Sequence, residues 1–67
     1  MNNRTALRAA IHQCAAIAKA TGTEIDVREF GDKIENDFPD SGMTAEGIRR
    51  EIELAAVAIG VRVMTSA

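Results

Sequence analysis

Residues 25–42 read IDVREFGDKIENDFPDSG and contain one helix together with both of its boundaries. Asp26 is followed three positions later by Glu29, close to a capping box, in which the N-cap side chain accepts from backbone N–H groups that lack an intrahelical partner. Ile25 before the cap and Phe30 four residues after it form a hydrophobic staple. Val27, Phe30, Ile34 and Phe38 continue at helical spacing. Pro39 disfavours helical geometry at Phe38, so the helix ends at about Asp37. The pattern predicts a helix over 27–37, closed by a Pro39-Asp40-Ser41-Gly42 turn. Gly31, in the middle of that helix, costs about 1 kcal/mol relative to alanine and permits close approach of another helix.

Beyond Gly42, Thr44 caps a further helix, with Met43 and Ile48 placed as a second staple. This helix is predicted over 45–59. Ile48, Ile52, Ala55, Ala56 and Ile59 make one apolar stripe, and Leu54, Val57 and Ala58 carry apolar character towards a second side. A helix apolar most of the way round is buried on several sides or contacts another chain. Gly60 is its C-terminal stop, and Val61 is placed for the contact that follows such a stop. Val61-Arg62-Val63-Met64 alternates like a short strand, whose partner is either Thr23-Glu24-Ile25 or another chain.

Before Ile25, a helix is predicted over 3–20, capped by Asn2 or Asn3 and ended by Thr21-Gly22. Seven alanines between Ala6 and Ala20 favour it. Leu7, Ile11, Cys14 and Ala18 form its stripe, widened by Ala10 and Ile17, while Arg4, Arg8 and His12 recur on another face. The fold expected is all-α: one compact three-helix domain over residues 1–67, with a short C-terminal β-strand.

Sixty-seven residues place the chain near the lower limit of independent folding. With one cysteine, Cys14, no internal disulfide forms. His12 and Cys14 are too few for a structural zinc site. Good helix packing, a partner or a homodimer remains as the source of extra stability. The lone cysteine and the lack of a signal-peptide pattern predict a reducing, cytoplasmic setting. The longest apolar run, Leu54 to Ile59, is too short to span a bilayer. The first helix has too few large apolar groups and cations for a membrane-surface role.

Charge is unevenly spread. Residues 1–22 carry Arg4, Arg8 and Lys19 and no acid, whereas residues 23–46 carry eight acids against Arg28 and Lys33. Either neighbouring helices complement each other, or the acidic middle faces a basic partner surface.

The sequence predicts no enzyme and no cofactor. Cys14 and His12, two residues apart, lie on different sides of a helix, and Cys14 reads as a small core hydrophobe. Asp26, Glu29, Asp32 and Glu35 read as a solvated acidic face. Gly42 and Gly47 lack the Lys-Ser/Thr ending of a phosphate loop. Residues 37–42 lack the ligand spacing and closing glutamate of a calcium loop. Three helices also fit a helix-turn-helix DNA-binding regulator, with the third as reader and Arg49 and Arg50 near its start. The acids of the second helix and Glu46, Glu51 and Glu53 oppose the phosphate neutralisation on which such binding depends. Protein binding is the stronger reading. The candidate contact residues are Leu54, Val57 and Val61, with Met64 nearby, and Asp32, Glu35 and Asp37 are the candidate charged rim. The alternative for the apolar group is that the fold itself covers it.

The run from Glu29 to Val61, EFGDKIENDFPDSGMTAEGIRREIELAAVAIGV, covers about half the chain and resembles the QseM-like antiactivators of rhizobial conjugative elements, which do the same job as TraM proteins. The resemblance lies in an acidic helix, a Pro-Asp-Ser-Gly turn and a long alanine-rich apolar helix. It implies a helical protein that binds and silences a transcriptional activator, such as a quorum-sensing regulator, without enzyme activity or cofactor. TraM-type proteins are built on two long helices, whereas Gly22 and Pro39 divide this chain into three, so the resemblance transfers no binding residue.

Overall fold

A computed structural model describes residues 4–64. Helix α1 spans Arg4–Thr21, strand β1 Ile25–Asp26, helix α2 Val27–Asp37, helix α3 Ala45–Ala58 and strand β2 Val63–Met64. The domain is mostly α-helical, as the sequence predicts. The expected start of α1 at Asn3, and its capping by Asn2 or Asn3, lie outside the described residues.

The helix boundaries follow from local chemistry. The Asp26 side chain accepts from the backbone N–H groups of Arg28 and Glu29 at 3.1 and 3.2 Å. Thr44 does the same for Gly47 at 3.0 Å. At the other ends, Gly22 and Gly60 take φ values of +70° and +79°. After α1, Gly22 N–H donates to the Lys19 carbonyl and Thr23 N–H to that of Ala18. After α3, Gly60 N–H donates to Val57 and Val61 N–H to Ala56. Both are the paired bonds of a Schellman ending, which satisfies carbonyls that the helix leaves open. Between α2 and α3, Ser41 is buried in the turn. Its hydroxyl accepts from Met43 N–H and its own N–H donates to the Phe38 carbonyl.

Helix α3 is the central element. It packs against both α1 and α2, which touch each other far less. Arg8 meets Glu51 and Lys19 meets Ile59, so α1 and α3 run in the same direction. The 38–44 turn brings α2 back antiparallel to α3, and Arg4 lies beside Gly42 in that turn. Gly31 is where α2 and α3 approach closely: a Cβ there would sit 3.2 Å from Arg49 Cγ and 3.9 Å from Ile52 Cδ1.

The core contains Leu7, Ile11, Ala15 and Ala18 from α1, Val27 and Ile34 from α2, and Ile48, Ile52, Ala55 and Ala56 from α3. Ile25 and Val61 close it at the strand end. Two expectations for α1 are corrected. Cys14 is only half-buried, and Ala15 takes its place in the core. Ile17 is exposed (56%) rather than part of the stripe. At about 100° per residue, Leu7, Ile11, Ala15 and Ala18 fall within about 80° of one another, while Cys14 and Ile17 lie off the far edge of that arc. The helix is rotated towards α3, and this edge is left facing α2.

Val63 and Met64 pair in parallel with Ile25 and Asp26, and Ile25 N–H donates to the Arg62 carbonyl at 3.0 Å. The predicted strand therefore pairs within the chain, starting two residues later than its alternating pattern, and its partner begins at Ile25 rather than Thr23.

Candidate functional site

The outer face of α3 lies opposite its core stripe. Leu54 and Val57 stand there one turn apart, 59% and 70% exposed. Exposed Arg50, Glu53 and Ala58 surround them. The reason is geometric: α1 covers one flank of α3 and α2 the other, so the third side is open.

Val61, expected beside Leu54 and Val57, is instead in the core, 8% exposed. The Schellman turn at Gly60 folds the chain back, and the 2.8 Å bond from Val61 N–H to the Ala56 carbonyl holds Val61 beside the last turn of α3. Met64 is about half exposed, on β2.

The expected acidic rim is divided. Asp32 faces α3 and lies 3.9 Å from Arg49. Glu35, one turn on, is exposed on that flank. Asp37 points to the other flank, where it borders a groove between α1 and α2. Arg8–Glu51 at 3.6 Å and Arg49–Asp32 at 3.9 Å show charge complementarity between neighbouring helices. Both pairs are at the surface, where such contacts are worth about 0–1 kcal/mol. Among the described residues, Glu24, Glu29, Glu35 and Asp37 take no part in an ion pair.

The α1–α2 groove is a feature that the sequence patterns did not single out. One part, open to solvent, measures about 420 Å³ near β1. A second, of about 260 Å³, extends along the helices towards Asp37. Cys14, Ile17, Phe30 and Lys33 line both. Burial pushes the Cys14 thiol pKa above its ordinary value, partly offset by the nearby Lys33 ammonium. The signals were present in Ile17, an isoleucine at the margin of the stripe, and in Phe30, the largest apolar group of α2.

Other chemistry is sparse. His12 is exposed, on a different side of α1 from Cys14. Among the described residues no group of three or more His, Cys, Asp or Glu side chains is placed to hold a metal ion. No described helix is long and apolar enough to cross a membrane. At the start of α3, Arg49 and Arg50 stand beside Glu46 and Glu53 on one mixed-charge face. Residues 38–44 separate α2 from α3, a longer link than the roughly 3–4 residues of a tight helix-turn-helix. Comparison of the chain with protein families, with curated proteins and with solved structures finds no match.

Proposed function

We propose that this chain is a regulatory protein–protein interaction module, and specifically a cytoplasmic antiactivator that binds and occludes a transcriptional activator. The observation that carries the reading is the exposure of Leu54 and Val57, one turn apart on the helix that otherwise builds the core. Large apolar side chains paired on an open helix face are the usual anchors of helix-mediated association. The mechanism is stoichiometric. The outer face of α3 docks on the activator, and the exposed Glu35 and neighbouring acidic side chains meet its basic, DNA-facing surface, in competition with DNA or with activator assembly.

The test uses Leu54→Asp and Val57→Asp in the full chain. Both variants should keep the helical circular dichroism and melting behaviour of the wild type, yet lose the protein that the wild type retains from a lysate of its native host. Retention unchanged in both variants would remove α3 from the binding surface.

A second reading is DNA binding through the start of α3. Its support is the position of Arg49 and Arg50 in the first two turns of that helix. A helix-turn-helix protein binds duplex DNA in a salt-dependent manner, and absence of binding at about 50 mM salt excludes it.

A further inference from the structure

We infer that the groove between α1 and α2 is a docking site for a basic amphipathic helix of a partner protein. Its floor is apolar, formed by the exposed side of Ile17, by Phe30 and by Cys14. Its border is acidic, with Glu24 and Glu29 at one end and Asp37 at the other, against one ammonium among the described lining residues, that of Lys33. The excess of carboxylates over ammonium is the argument for a cationic occupant. None of those three carboxylates has an ion-pair partner among the described residues.

The shape is equally specific. The groove runs along α1 from Ala18 to Ala10, about 12 Å at 1.5 Å per residue, which matches two turns of a bound helix. It exists because α1 and α2 both pack on α3 and scarcely on each other. Two apolar side chains one turn apart would rest on Ile17 and Phe30, and flanking Lys or Arg side chains would reach the carboxylates. This surface is separate from the Leu54–Val57 face, so either can fail while the other stands.

The experiment titrates the reduced, isotope-labelled full chain with a synthetic helical peptide of about 14 residues, built from Leu, Ala and Lys with one apolar and one lysine-rich face. A twin peptide carries Glu in place of Lys. The lysine peptide should shift the amide signals of Cys14, Ile17 and Phe30 and slow alkylation of the Cys14 thiol, and the glutamate twin should do neither. Ile17→Ser and Glu29→Lys alter exposed side chains and should each weaken binding by about fivefold or more. Three results overturn the inference: equal binding of the glutamate twin, shifts centred on Leu54 and Val57, or no saturable binding up to about 1 mM peptide. If Ile17→Ser proves unfolded, Glu29→Lys alone decides the charge dependence.

Discussion

The Lys19 ammonium donates a 2.9 Å hydrogen bond to the Ile59 carbonyl, joining the last turn of α1 to the cap of α3. Carbonyls at the end of a helix lack intrahelical donors and carry the negative end of its dipole, so a cation there satisfies both. Lys19→Met should lower stability by about 0.5–1 kcal/mol in urea denaturation, with the unfolding slope unchanged. Lys19→Arg should recover part of the loss.

Gly31 separates two effects of opposite sign. Alanine there improves helix propensity by about 1 kcal/mol but places a Cβ 3.2 Å from Arg49 Cγ. The neighbour is a methylene of a long side chain, which shifts readily. Gly31→Ala should therefore change stability by less than about 1 kcal/mol, while Gly31→Leu should cost about 1–3 kcal/mol by forcing α2 and α3 apart. Thermal melts of the two variants check the contrast.

Two apolar positions on α3 should behave in opposite ways. Ile52 is fully buried, and Ile52→Ala should cost about 2–5 kcal/mol. Val57 faces solvent, and Val57→Ala should stay within about 0.5 kcal/mol of the wild type. Denaturant midpoints measured side by side give the comparison. A large loss at Val57 would place that side chain inside the core.

Cys14 gives a pH-dependent signature. Its thiol is pushed above the ordinary value by burial, so the folded chain holds the proton more tightly than the unfolded chain does. That contribution is fully present below the ordinary thiol pKa of about 8.5 and is lost as pH rises through the folded value. The wild type should therefore lose stability relative to Cys14→Ala as pH is raised from about 7 to about 10. Urea midpoints of both proteins across that range test the sign. Alkylation of folded Cys14 at mildly alkaline pH should also be slower than that of an unfolded control.

The helices were legible because their boundaries are written in adjacent residues. Asp26 and Pro39 bracket α2, while Thr44 and Gly60 bracket α3, and each acts within a few positions of itself. The rotation of each helix about its axis was harder to read. In α1 an alanine-rich sequence gives a weak stripe, and Cys14 and Ala15 are both small enough to face the core. Packing of α3 against the Arg8 side of α1 favours Ala15, and no local pattern carries that information. Val61 carries two readings in the sequence, the contact after the Gly60 stop and a surface neighbour of Leu54 and Val57, and the chain reversal at Gly60 selects the first. Asp32, Glu35 and Asp37 are close in sequence, yet the helical turn sends Asp37 to a different neighbour. The α1–α2 groove arises only when three helices are assembled, so its lining residues had no common motif.

The pairing of Ile25 with Val63 has a consequence for synthesis. The amide of Ile25 finds its acceptor on Arg62, and Val61 fills the core beside it. A nascent chain that has extruded α1, α2 and α3 still lacks these partners, so the strand end of the core stays open until β2 emerges. Ribosome-bound chains stalled before Val61 should remain open to protease at the segment joining α1 to α2, and those carrying β2 clear of the exit tunnel should resist.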